Sequence, residues 1–117
     1  MSDYNYDCVV VEVHDGDTVT LDVDLGFSIW HRGMRVRLLG INAPELSSDA
    51  GKHSQIYLRN LLPIGSRHVL ESHKDRADKY GGRWLGVIRF RSGQSANDMM
   101  VEAGFAVRWD GKGSKPA

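Results

Sequence analysis

Residues 13–25 read Val13-His14-Asp15-Gly16-Asp17-Thr18-Val19-Thr20-Leu21-Asp22-Val23-Asp24-Leu25. Val19, Leu21, Val23 and Leu25 alternate strictly with Thr20, Asp22 and Asp24, the period of a strand with one face in a core and the other in water. Asp15-Gly16 is a turn signal, since aspartate bonds its own backbone and glycine tolerates tight dihedrals. Upstream, Val9, Val11 and Val13 alternate too, so the stretch predicts a half-buried strand on each side of a turn. Downstream, Gly26 and Gly33 bracket Phe27 to Arg32, a segment containing Trp30 and His31 that is expected to form the far end of a hairpin. Met34, Val36 and Leu38 resume the alternation in a third strand that ends near Ile41.

Asn42-Ala43-Pro44 interrupts the extended pattern, because proline withholds a backbone donor and biases its predecessor away from helix. Ser47, Ser48 and Asp49 are N-cap candidates, and Ser54, Tyr57, Leu58, Leu61 and Leu62 fall on one helical face before Pro63 and Gly65. A helix over 49–62 is expected. Strands are expected at 67–72 and 84–90, separated by a polar loop over 77–82. Ser95-Ala96-Asn97-Asp98 resembles a capping box, and Ala96, Met99, Met100 and Ala103 keep helical spacing up to Gly104. This order describes an α+β, mainly β chain: a five-stranded OB-fold barrel with two helices, an architecture whose face commonly binds oligonucleotides. The pattern alone leaves other small α+β folds open.

A chain of 117 residues fits one domain. That domain is expected over 1–110, with 111–117 (GKGSKPA) as a frayed tail. Cys8 is the only cysteine, which excludes an internal disulfide and zinc sets of several cysteines and leaves a buried apolar thiol. No apolar run approaches the roughly 20 residues that span a bilayer. The N-terminus lacks a basic-then-apolar leader, so an intracellular protein, or the mature part of a secreted one, is expected. Zero net charge argues against a protein that coats nucleic acid by bulk electrostatics. The distribution is uneven: residues 1–30 hold seven acids and no Lys or Arg, while the remainder carries 15 bases against eight acids. Such asymmetry suits a cation held by one segment and an anion held by arginines of another, although solvated surface charge also produces it.

Three segments carry chemistry: Val13 to Val19, then Arg37-Leu38-Leu39-Gly40-Ile41-Asn42-Ala43-Pro44-Glu45, then Asp78-Lys79-Tyr80-Gly81-Gly82-Arg83-Trp84-Leu85-Gly86. In this order they resemble the signature blocks of the staphylococcal nuclease (thermonuclease) family, from about residue 8 to 108 of the chain. The resemblance implies a calcium-dependent endonuclease that hydrolyses DNA and RNA, prefers single-stranded regions, leaves 3′-phosphates and works as a monomer. Glu45 takes the place of the proposed general base, and Arg37 and Arg83 the places of the two phosphate-gripping arginines. Asp17, residue 42 and the backbone carbonyl of Ala43 take the places of the calcium ligands, with Asp15 nearby. Lys79 and Tyr80 take those of substrate-binding residues.

The chemistry agrees with these assignments. Phosphodiester hydrolysis needs an activated water, charge stabilisation in the transition state and help for the leaving oxygen. A carboxylate such as Asp17 suits a hard dication, and a guanidinium offers paired donors that lysine lacks. Arg35 is a decoy or an auxiliary phosphate contact. The histidines show no paired ligand spacing and read as surface or satisfied core groups.

The chain departs from the family pattern in several places. Asn42 stands where aspartate is usual, and weaker calcium binding is expected. Gly81-Gly82 adds a residue before Arg83. Phe27, Trp30 and His31 occupy a longer hairpin, where Trp30 either stacks a base or packs. Trp109 falls near base-contacting tyrosines of relatives, and the third C-terminal helix of longer relatives is expected to be absent. The rival reading is a non-catalytic OB module that binds nucleic acid or protein, favoured by Asn42 and opposed by Arg37, Glu45 and Arg83 together.

Overall fold

The computed structural model describes residues 4–77 and 84–109. Strands β1 (Tyr4–Val13), β2 (Thr18–Gly26) and β3 (Ile29–Leu38) form a meander. After it come β4 (Ile41–Asn42), α1 (Asp49–Leu61), β5 (Arg67–Ala77), β6 (Trp84–Arg89), α2 (Ala96–Glu102) and β7 (Val107–Arg108). Five strands close a barrel in the order β1-β2-β3-β6-β5, with β3 and β6 parallel and the other pairs antiparallel. This is the expected OB topology, and closure leaves the barrel without a free edge. The two-stranded sheet of β4 and β7 was not foreseen, and it ties the stretch after β3 to the end of the described chain.

The barrel is filled by Val10, Val13, Val19, Leu21, Val23, Val36, Leu38 and Ile88, all essentially inaccessible, and α1 adds Leu58 while Leu62 caps its end. Truncating one of these to alanine typically costs about 2–5 kcal/mol. Cys8 joins the core as expected; burial pushes its thiol up to about 12, partly offset by a hydrogen bond with the His68 backbone.

The strand expectations need three corrections. In β1 the inward residues are Cys8, Val10 and Val13, whereas Val11 is exposed. Val10 pairs with Leu21 and Glu12 with Thr20, so Val11 is the extra residue of a bulge that flips the pleat. The far end of the β2–β3 hairpin is not a six-residue loop but a turn at Phe27 and Ser28, with β3 already under way at Ile29. Arg32 and Gly33 together oppose Asp22, a second bulge held by bonds from the Gly33 N–H and Arg32 to that carboxylate. β5 runs to Ala77 rather than stopping at Ser72, with an irregularity between them.

Helix α1 matches expectation within a residue. Ser48 is the N-cap, accepting from the Gly51 N–H at 2.9 Å, and Leu62 is the C-cap. Ser95 caps α2 by accepting from the Asp98 N–H at 3.0 Å. No helix among the described residues is long and apolar enough to cross a membrane. The tail at 111–117 and residues 78–82 of the expected loop lie outside the described residues.

Candidate active-site cleft

At the start of β2, the turn at 15–16 returns the chain so that Asp17 lies beside the last residues of β3. Thr18 pairs with Arg37, and the Leu38 N–H donates to the Asp17 carbonyl at 2.8 Å. Asp15 Oδ1 accepts from the Asp17 N–H at 3.0 Å, the local bond that closes such turns. Gly16 is required here because a Cβ would run into Ser54 of α1 and Ala43. β4 then brings Asn42 and Ala43 across the same end of the barrel.

The side chains converge. Asp17 Oδ2 accepts from the Ala43 N–H at 2.9 Å and lies 3.5 Å from Arg37 Nη2, which also donates to Asn42 Oδ1 at 3.2 Å. Asp17 and Arg37 are each only 7% exposed. The Arg37 guanidinium carbon stands 5.1 Å from the centre of the Trp109 ring, a cation–π contact that fixes its plane. Its bonds within the described residues all leave from Nη2.

Around this cluster opens a cleft of about 720 Å³, whose wall includes Asp15, Asp17, Arg37, Asn42, Ala43 and Glu45. Glu45 is exposed at its mouth. The Glu45 carbonyl accepts from Ser48 through both N–H and Oγ, at 3.0 and 2.7 Å, so the acid is carried on a turn pinned to the start of α1. Gly51 makes this approach possible, because a Cβ there would overlap the Glu45 carbonyl. The opposite wall is Gly104, Phe105, Ala106 and Val107. It is braced by a Tyr57–Phe105 ring stack at 4.6 Å and a Ser54 hydroxyl bond to the Phe105 carbonyl at 2.7 Å.

Burial and then the neighbouring Asp15 raise the Asp17 carboxyl to about 6; the Ala43 N–H and Arg37 offset this only in part. Two carboxylates thus share a cleft with less positive charge than they call for. Among the described residues no three His, Cys, Asp or Glu side chains converge as a metal cluster. The oxygens present, two carboxylates and the Asn42 amide, nevertheless fit a hard dication such as calcium and offer nothing to a soft one.

Of the residues singled out in the sequence, the fold brings Asp15, Asp17, Arg37, Asn42, Ala43 and Glu45 to one cleft. Arg83, Lys79 and Tyr80 lie outside the described residues. Arg35 is exposed and absent from the cleft wall. His14, His68 and His73 have partners in Thr20, Ser66 and Glu71, in keeping with a structural role. The 104–107 wall went unread, since it comes from the opposite end of the chain and carries no motif. Asn97, buried at 3% exposure, was also missed; its amide donates to the Leu39 and Gly86 carbonyls and its oxygen accepts from the Ile88 N–H. A polar residue on the inner side of a short amphipathic helix was the available signal.

A closed five-stranded barrel thus carries a buried arginine, paired acids and an exposed glutamate around one cleft. Residues 35–115 match the family described as Staphylococcal nuclease homologue, and the chain belongs to that family. It is similar to a protein of Escherichia coli O157:H7 named "Uncharacterized endonuclease", with 35% identity over 97 residues, 83% of this chain and 57% of that one. A protein of the same name from Haemophilus influenzae is 32% identical over 99 residues, 85% of this chain and 50% of that one. The chain spans about half the length of these relatives.

Proposed function

We propose that the chain is a metal-dependent phosphodiesterase that hydrolyses DNA and RNA, preferring single-stranded regions, with calcium as its ion. The observation that carries this reading is the Arg37 guanidinium. It is almost wholly buried in the cleft, yet Nε and Nη1 make no bond among the described residues. A buried donor without an acceptor is costly, and an anion entering the cleft would satisfy it.

In this reading Arg37, joined by Arg83, donates to non-bridging phosphate oxygens and stabilises the charge that grows as water attacks phosphorus. Glu45 takes the proton of that water. The new O–P bond forms as the bond to the 5′ oxygen breaks, leaving a 3′-phosphate and a 5′ oxygen that takes up a proton from solvent to become a hydroxyl. Asp17, Asn42 and the Ala43 carbonyl would hold the ion, with Asp15 adding negative charge nearby, and Lys79 and Tyr80 would contact the substrate phosphate. A hard dication bound there supplies positive charge against the phosphate oxygens.

Degradation of denatured DNA with calcium, with chelator and with the Glu45→Gln protein tests the proposal. Calcium-dependent cutting is expected, lost in chelator and reduced about 10²–10⁴-fold by the substitution. Cutting that ignores both changes refutes it. A second reading, a non-catalytic OB module, is favoured by Asn42, which brings no charge to the ion site and already spends its oxygen on Arg37. Binding of DNA without cutting would select that reading.

A further inference from the structure

The outer face of the β2–β3 ribbon meets the cleft at Arg37 and runs on beyond it. Register sets Thr18 opposite Arg37, Thr20 opposite Arg35 and Asp24 opposite Trp30, so Arg37, Arg35 and Trp30 share the face directed away from the core. Arg35 is exposed and has no carboxylate partner among the described residues. The nearby acids are turned to local donors, Asp22 to Arg32 and the Gly33 N–H, Asp24 to the Gly26 N–H.

The sequence pointed to Trp30 as a stacking candidate, but the structure covers that ring. The Arg32 guanidinium carbon lies 4.8 Å from its centre and is held there by the Asp22 bond at 3.0 Å. The free ring is Phe27 at the turn, 97% exposed, flanked by Ile29 at 56%. Phe27 and Ser28 have φ of 56° and 62°, a conformation unfavourable for L residues. The chain thus holds an aromatic side chain in water at a position where asparagine or glycine would be easier.

We infer that this ribbon is an accessory track for single-stranded nucleic acid, with Phe27 stacking on a base and Arg35 holding a phosphate between Phe27 and the cleft. The inference rests on the nuclease reading of that cleft. The ribbon is continuous with it: about 25 Å of strand separates Arg37 from the turn, room for several nucleotides. Arg37 and Arg35 are one pleat repeat apart, comparable to adjacent phosphates of an extended strand. Stacking on a single ring asks nothing of base identity, as suits a degradative enzyme.

Fluorescence anisotropy with labelled oligothymidylates in chelator reads binding without cutting. With a strand of about twelve nucleotides, Phe27→Asn should weaken binding about tenfold, while Phe27→Trp should keep it. Asparagine accepts the positive φ, so the turn survives the first change. Arg35→Gln should weaken the same strand and flatten its salt dependence. With a strand of about three nucleotides, too short to reach the turn, the Phe27 variants should not differ from the parent. The track is overturned if the parent binds both lengths alike, if Phe27→Asn binds the long strand as the parent does, or if that change alters only the protein's self-association. Cleavage of the short strand with calcium is a separate readout: its absence in the parent sinks the nuclease reading, whereas a defect confined to long strands in Phe27→Asn belongs to the track.

Discussion

Arg37 and Asn42 show how single atoms set the chemistry of the cleft. Arg37 Nη2 is shared between the Asp17 carboxylate and the Asn42 amide oxygen, and the Trp109 ring fixes the guanidinium plane. Lysine would keep the charge but lose the fork and the stack. Arg37→Lys should therefore lower kcat about 10²–10³-fold while the circular dichroism spectrum stays that of the parent. Asn42→Asp is expected to act in the opposite direction on the ion. A third carboxylate adds charge to a site of hard oxygens, so the calcium concentration for half-maximal cutting should fall about tenfold. Unchanged calcium dependence would show that residue 42 is not a ligand.

At the scale of elements, the cleft depends on how closely α1 meets the turn that carries Glu45. Alanine usually stabilises a helix by up to about 1 kcal/mol relative to glycine. At Gly51 the sign should reverse, because the added methyl would overlap the Glu45 carbonyl. Gly51→Ala should lower both the melting temperature and the cutting rate, as the displaced turn carries Glu45 away from the cleft. Helix α2 has a comparable dependence on Asn97, whose side chain satisfies two carbonyls and one N–H. Asn97→Ala leaves all three groups without that partner in a buried setting and should cost about 2–4 kcal/mol in chemical denaturation. Both contacts were beyond sequence reading for the same reason. The alternation of Val19, Leu21 and Val23 announces a strand, and Ser48 and Ser95 announce helix starts, but neither pattern says which backbone a helix will touch. The bulge in β1 was hidden differently: Val9, Val10 and Val11 are alike, so the run reads equally well in either pleat and only pairing with β2 selects Val10.

Over the whole molecule, the six cleft residues drawn from the first two motif blocks were legible because each block is contiguous and the barrel register sets the ends of β2 and β3 side by side. The wall at 104–107 and the Trp109 contact were not, because they depend on the β4–β7 pairing of two-residue strands too short to leave a pattern. The same architecture sets how stability responds to pH, and its carboxylates pull in opposite directions. The Arg89 bond holds Glu71 below its usual range, and the Arg108 bond does the same for Asp98. For these groups the folded pKa is depressed, so their stabilisation is present above the unfolded value and is lost as pH falls through the folded one. Asp17 behaves in the reverse sense. Burial and Asp15 raise it from 3.8 to about 6, so between those values the folded chain binds more protons than the unfolded chain, and stability falls as pH rises. In chelator, the melting temperature should therefore decline from pH 4 to pH 7 by more than in the Asp17→Asn protein, whose amide does not titrate. If the parent and Asp17→Asn curves run parallel through that range, Asp17 is ionised at little cost in the folded chain, and the unbalanced charge assigned to the cleft is not there.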